Sequence, residues 1–308
     1  MKTFEIIVDS TADLDEKFRE EYDINVLLGH LAVDGVESYS RLNWDEISRD
    51  EFYAALKANP DRFKTSPPGV GEMAERMEEF AAQGLGVIYL TISSGLSGTY
   101  NFASQARKMV LEKYPDADIR CFDSLRFGPA IGLMAVNASI MRSEGKTLDE
   151  VAGYLEANKN RYHQAGWLDD LTYIAKQGRL THSKAFLGTL VGIKPIGEFD
   201  YNGLTTVLGK AKGEKNAYET LIAYMKATIT DPENQIIFVA QTNRLKQAEK
   251  YKALIEETFH PKAVYIKDVY PACGTNIGPG LMASYYIGRE ISADLSYEKE
   301  IIKEYTGG

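Results

Sequence analysis

The sequence predicts an α/β protein with an N-terminal, mostly parallel-sheet α/β domain and a C-terminal α+β domain. Alternation predicts the first: short apolar runs and amphipathic stretches take turns through the first half, as in a parallel sheet with right-handed crossovers. A change of pattern predicts the second, where two extended runs flank the hairpin signal Asp200-Tyr201-Asn202-Gly203 before helix and strand resume. A length of 308 residues suits two domains with a sizeable core. The boundary is expected within 159–166, giving domains 1–162 and 163–308.

Along the chain, residues 4–8 form an apolar run that ends at Asp9-Ser10-Thr11, and 12–22 has helical spacing. Residues 24–28 and 30–33 read as extended, with a turn at Asp34-Gly35. The stretch 44–58 is amphipathic, with Asp45 as a cap near its start. Thr65-Ser66-Pro67-Pro68 precedes a helix over about 70–83. Pro67 biases Ser66 toward extended backbone, and Thr65 or Ser66 either caps that helix or donates outward to an anion. A strand over 87–90, a helix over 100–114, a strand over 117–122 and a helix over 129–142 follow. In the second half, 167–177 has apolar residues at helical spacing and stops at Gly178. Extended runs 194–199 and 204–208 bracket the hairpin, and helix 214–228, strand 235–240, helix 243–259 and strand 263–269 come next. Residues 274–280 read as a loop that brings backbone close to a ligand rather than as a plain turn.

The chemistry concentrates in 86–100, GVIYLTISSGLSGTY. Its strand stops at a short segment holding the hydroxyls of Thr91, Ser93, Ser94, Ser97 and Thr99 and the glycines Gly95 and Gly98. That segment feeds a helix N-terminus, where free N–H groups and the helix dipole favour an anion. No Gly-Lys-Ser/Thr follows, so it is not a nucleotide phosphate loop, and it does not complete the Gly-x-Ser-x-Gly elbow of hydrolases. Two readings stand: plain capping by Ser or Thr, or a neutral donor site for a small anionic head such as a carboxylate. Thr65-Ser66 and Ser93-Ser94 together offer two such loops. Neutral donors suit a carboxylate that enters with a long apolar tail, because no arginine need be desolvated. Ser10/Thr11, Ser93/Ser94 and Asp123/Ser124 all fall at strand carboxyl ends, where open parallel sheets take their ligands.

Composition narrows the field. With 44% hydrophobic and 26% charged residues the chain is ordinary for a soluble globular protein. A net charge of -9 and a pI near 5.2 argue against nucleic acid or an anionic membrane as the main partner. No apolar stretch approaches the ~18 residues needed to span a bilayer. The N-terminus enters a strand-like run without a signal peptide, and Cys121 and Cys273 give no disulfide framework, which points to the cytoplasm. His30, His163, His182 and His260 are scattered and read as surface residues, so neither a metal centre nor a serine triad is expected. Gly278-Pro279-Gly280-Leu281-Met282-Ala283 fits a dinucleotide fingerprint only on paper, since Pro279 lacks an N–H for a pyrophosphate.

Taken together, Asp9-Ser10-Thr11-Ala12-Asp13-Leu14, Thr65-Ser66-x-Pro68, Ser93-Ser94-Gly95-Leu96-Ser97-Gly98-Thr99-Tyr100, Phe122-Asp123-Ser124, Leu168-Asp169-Asp170-Leu171, Gly178-Arg179-Leu180, Lys194-Pro195-Ile196 and Gly278-Pro279-Gly280 resemble the DegV family across essentially the whole chain. These are bacterial fatty-acid-binding proteins that include the FakB subunits of fatty acid kinase. The resemblance implies two α/β domains enclosing one fatty acid. Its carboxylate would be held by Thr65 and Ser94, with Asn276 at the same polar end and Ser66, Ser93, Gly95, Ser97 and Gly98 in support. It also implies that a separate ATP-dependent kinase, related to dihydroxyacetone kinases, phosphorylates the bound acid, with an exposed Arg179 serving its docking. The family often has histidine where this chain has Asn276, and arginine in the motif that here reads Lys210-Ala211-Lys212-Gly213. The chain is thus expected to bind a fatty acid without catalytic residues, cofactor or metal of its own. The rival is a hydrolase or transferase acting on a small anionic metabolite through Ser94 or Ser97.

Overall fold

The computed structural model describes residues 2–181 and 192–306. In chain order its first elements are β1 (Phe4–Asp9), α1 (Glu16–Glu21), β2 (Asn25–Leu27), β3 (His30–Val33), β4 (Val36–Tyr39), α2 (Arg49–Ala58), β5 (Phe63–Ser66) and α3 (Val70–Ala81). Next come β6 (Gly86–Thr91), α4 (Thr99–Lys113), β7 (Ile119–Asp123), α5 (Pro129–Ser143), α6 (Leu148–Asn158), β8 (Tyr162–Leu168), α7 (Thr172–Lys176) and β9 (Leu180–Thr181). The chain continues with β10 (Ile193–Phe199), β11 (Thr205–Lys212), α8 (Gly213–Thr228), β12 (Ile236–Gln241), α9 (Leu245–Phe259), β13 (Ala263–Asp268), α10 (Pro271–Ile277), β14 (Leu281–Ile287) and α11 (Ser296–Thr306). Two compact units result. Met1–Asp45, Asp61–Lys159 and Tyr270–Cys273 form the first; Glu46–Pro60, Asn160–Val269 and Gly274–Gly308 form the second.

The first unit holds an all-parallel sheet in the order β2-β1-β6-β7. Every residue of β1 is buried, as in a parallel sheet covered on both faces. One face packs under α3 and α4 through Met73, Met77, Tyr89, Ala103 and Val110. The strongly apolar α5, which starts with Pro129 in its first turn, packs on β1 with α6 beside it. Strand order reverses between β1 and β6, which makes a switch point there. A small antiparallel sheet, β4-β3-β5, lies within the connection from β2 to α3.

The second unit holds a mixed sheet, β13-β12-β14-β8-β10-β11-β9. Its core joins Trp167, Tyr218, Leu221, Tyr251, Met282 and Ile302 from the sheet and from α8, α9 and α11. At its centre β8 is buried along its whole length, although it carries His163 and Gln164. His163 Nδ1 meets Glu198 Oε2 at 3.1 Å, its Nε2 meets the Arg289 carbonyl at 2.9 Å, and its ring stacks on Tyr286.

Several expectations change. His163 is fully buried, not a surface residue. His30 is half-buried against Glu72, His260 ends α9 in the left-handed region, and His182 lies outside the described residues. The 12–22 helix shortens to α1, because Asp13 takes φ 50 after a 3-10 turn and Asp15 caps Phe18 N at 3.2 Å. The 44–58 helix begins only at Arg49, where Ser48 and Glu51 form a capping box that displaces Asp45 from that role. Trp167 and Leu168 are strand, and helix is confined to α7. Residues 274–277 are helical, so the expected glycine loop reduces to 278–280.

Candidate functional site

Hydroxyl-bearing segments of the first unit gather at the carboxyl edge of the parallel sheet. β1 ends at Asp9, and Ser10–Ala12 make one 3-10 turn. The buried Ser10 hydroxyl donates to the Ser40 carbonyl at 2.6 Å and accepts the Gly29 N–H at 3.0 Å. A Cβ on Gly29 would stand 2.9 Å from the Ser66 carbonyl, so a glycine is what lets β5 end against this turn. Asp9–Thr11 and Thr65-Ser66 are thereby neighbours.

Thr65 faces Leu31 of β3 in register and shares the inner side of β5 with buried Phe63; it is half-buried, whereas Lys64 and Ser66 are exposed. The Thr65-Ser66 pair is therefore strand rather than loop, and the structure puts Ser66 on the opposite side from Thr65. Neither caps α3. That role falls to Gly69, whose N–H donates to Glu72 Oε2 at 2.6 Å. Burial pushes the Glu72 carboxyl up, but the bonds from Gly69 and His30 outweigh it and leave its pKa below the ordinary value.

After β6 the chain turns on Ser93, which is buried. Its carbonyl accepts from Leu96 N at 3.0 Å and Ser97 N at 3.2 Å, and its hydroxyl accepts from Gly95 N at 3.2 Å. Ser94 N donates to Asp123 Oδ1 at 3.0 Å, and Leu125 N donates to the same oxygen at 3.2 Å. The Ser97 hydroxyl lies 2.8 Å from that of Thr99 and accepts Thr99 N at 3.3 Å. The loop's own N–H groups are not free: those of Ser94, Gly95, Leu96, Ser97 and Thr99 are all satisfied by the chain. What the edge presents is hydroxyl. Ser94 is exposed, and its Oγ has no protein partner among the described residues. Gly95 and Gly98 are exposed too, and Gly98 serves as the N-cap residue of α4.

Sequence reasoning missed two supports of this loop. Asp123 was placed at a strand end, but its hold on Ser94 comes only with the β6–β7 pairing. Arg126 is fully buried: its carbonyl accepts Ser93 N at 2.9 Å, and its Nε donates to the Lys159 carbonyl at 2.9 Å. A single arginine between apolar Leu125 and Phe127 was the only signal.

In the second unit, Asn276 sits near the end of α10, and Arg179 Nη1 lies 3.5 Å from its Oδ1. The same nitrogen donates to the Gln177 carbonyl at 3.2 Å. Arg179 is half-buried rather than exposed, and burial lowers its pKa from the usual range. The glycines after Asn276 answer to their own chain. A Cβ on Gly278 would stand 2.4 Å from the Tyr173 ring, and one on Gly280 2.6 Å from Asp169 Cβ. Asp169 in turn pairs with Lys194 and Arg244. Among the described residues no group of His, Cys, Asp or Glu could hold a metal ion, and no helix is long and apolar enough to cross a membrane.

A doubly covered parallel sheet with a hydroxyl-lined carboxyl edge, and a mixed sheet built around a buried central strand, define a two-unit α/β protein. The chain belongs to the DegV family, whose model ("Uncharacterised protein, DegV family") matches residues 3–289. It is 33% identical over 290 residues to a DegV domain-containing protein of Clostridium perfringens, covering 94% of this chain and 98% of that one. Among solved structures it is similar to a DegV lipid binding protein from Thermotoga maritima, with TM-score 0.81 and 26% identity, covering 94% of this chain and 99% of that one. A second Thermotoga maritima structure, described as revealing a fatty acid binding function, matches with TM-score 0.78 and 26% identity over 92% of this chain and 99% of the other.

Proposed function

We propose that this protein is a cytoplasmic carrier of one long-chain fatty acid, with no reaction of its own. The observation that carries the reading is the carboxyl edge of the parallel sheet, where the Ser94 hydroxyl stands exposed after the loop's N–H groups have been satisfied. Thr65 and Ser94 are proposed as the carboxylate's donors, supported by Ser93 and Asp123, which fix the loop. Asn276 is proposed to add a neutral amide donor. The likeness to proteins described as lipid- and fatty-acid-binding supports the same ligand class. Burying the acyl chain is worth roughly 0.8 kcal/mol per CH₂, so the tail supplies most of the affinity and the hydroxyls fix its orientation. A hydrolase reading needs a base on its nucleophile, yet among the described residues no histidine or carboxylate hydrogen-bonds the hydroxyl of Ser94 or Ser97. Lipid extraction of the purified protein followed by mass spectrometry tests the proposal. A stoichiometric long-chain acid is expected, and protein free of lipid that also fails to take up added fatty acid overturns it.

A finer reading follows from the resemblance: a separate kinase transfers the γ-phosphoryl of ATP to the bound carboxylate, and Arg179 helps it dock. Arg179→Ala is then expected to keep fatty-acid affinity within about threefold while acyl-phosphate formation with the cognate kinase is lost. Full phosphorylation of the variant's ligand would remove Arg179 from that role.

A further inference from the structure

The carboxyl end of β1 carries an acid that the chain buries without a counter-ion. Asp9 is 2% exposed, and its Oδ1 accepts both the N–H of Thr11, at 2.7 Å, and the Thr11 hydroxyl. Its Oδ2 is buried with no hydrogen-bond partner among the described residues, and so is the hydroxyl of Tyr89. Ile7 and Tyr89 are register partners on β1 and β6, and Asp9 follows Ile7 by two residues, so Asp9 and Tyr89 share one face of the sheet. They flank the β1–β6 junction where strand order reverses, beside the turn that Gly29 ties to Ser66. Two orphaned polar atoms at a switch point are a built feature, because each such buried group costs free energy until something satisfies it.

Burial without a counter-ion disfavours the charged form of Asp9. No ion pair reaches it among the described residues, and burial, working against the two Thr11 bonds, raises its pKa from 3.8 to about 6. When Asp9 is protonated, Oδ1 is already accepting, so the proton sits on Oδ2, the atom without a partner among the described residues. We propose that Asp9 joins the carboxylate site as a neutral acid, donating its Oδ2 proton to the ligand's carboxylate, with the Tyr89 hydroxyl as a second buried donor on that face. The inference rests on the fatty-acid reading and deepens it. Two carboxyl groups in one buried site cannot both ionise, so they hold one proton between them. Where Asp9 is ionised in the free protein, binding must take up one proton from solvent.

Affinity therefore falls as pH rises through the Asp9 titration. Tyr89 and Cys273 of α10 are the titratable groups that feel Asp9 directly; Glu72 of α3 and Cys121 of β7 act on Tyr89, and Asp13 on Cys273. Burial holds the Cys121 thiol up at about 12 and pushes Cys273 and Tyr89 well above their usual values, and Glu72 stays ionised. Asp13 and the His30 that faces Glu72 remain in Asp9→Asn, as does the ligand's own ionisation, so comparison with that variant isolates Asp9. Displacement of a fluorescent fatty acid by palmitate should show the unaltered protein's dissociation constant rising roughly 20- to 30-fold from pH 5.5 to 7.5. Asp9→Asn, whose amide donates at every pH, should change by less than about threefold. Calorimetry at pH 7.5 in buffers of different ionisation enthalpy should find close to one proton taken up per ligand by the unaltered protein and none by the variant. Equal pH slopes in the two proteins, or no proton uptake by the unaltered one, would overturn the proposal. The calorimetry decides alone where Asp9→Asn does not fold. No palmitate binding by the unaltered protein at any pH overturns the fatty-acid reading itself, and this inference with it.

Discussion

Replacing Thr65 and Ser94 together with alanine is expected to weaken fatty-acid binding by about 2–4 kcal/mol, roughly 30- to 1000-fold, and to leave the protein folded. The size follows from donors to a charged group running ~1.5–3 kcal/mol each and adding incompletely when they share one acceptor. The fold should tolerate both changes. Thr65 lies half-buried on β5, where alanine costs within the ~1 kcal/mol span of strand preferences. Ser94 is exposed, and what holds its loop is its backbone N–H on Asp123, which alanine keeps. Neither side chain starts a helix, since α3 begins at Gly69 with Glu72 and α4 at Gly98. Fluorescent fatty-acid displacement on both single variants and the double variant checks this, with circular dichroism to confirm the fold. A change below about threefold in the double variant would take the carboxylate away from these residues.

What could be read in the sequence, and what could not, divides on local against distant causes. β1 and β6 are legible because a strand buried on both faces is a short apolar run, and each ends in hydroxyl or carboxyl residues. β8 hides for the opposite reason. His163 and Gln164 break its apolar run, and distant groups make them tolerable in the core: Glu198 accepts Gln164 N at 2.8 Å and meets His163 Nδ1, and the Arg289 carbonyl meets His163 Nε2. The return of Glu46–Pro60 to the second unit has no local signature at all. The capping boxes Ser48/Glu51 and Thr147/Glu150 were present in the sequence and would have placed α2 and announced α6. At the site, the residue types in the two hydroxyl motifs were legible. The geometry around them was not: Thr65 is strand because β3 pairs with it, and the loop's N–H groups are occupied because Ser93 folds back on them and Asp123 arrives from β7.

Gly280→Ala is expected to destabilise the protein by about 3–5 kcal/mol, more than any change at the hydroxyl edge. Gly280 has φ +106, a backbone conformation that costs an L-residue on the order of 1–3 kcal/mol. The added Cβ would also stand 2.6 Å from Asp169 Cβ and 2.9 Å from its carboxyl carbon. Asp169 has too short a side chain to swing aside, so its backbone must move, and that strains the bond from Asp169 N to the Gly280 carbonyl at 3.2 Å. The same shift pulls the carboxylate from between Lys194 and Arg244; that partly exposed pair of bridges adds about 1–2 kcal/mol at most. Gly280 N also donates to the Thr242 carbonyl at 2.9 Å, where β14 begins its pairing with β12. Pro279→Ala is the control, because it relaxes the turn without adding a clash and should cost no more than about 1 kcal/mol. Urea unfolding with unchanged m-value measures both. A loss under 1 kcal/mol for Gly280→Ala would mean that the turn can yield, and the glycines would then need a ligand, not Asp169 and Tyr173, to explain them.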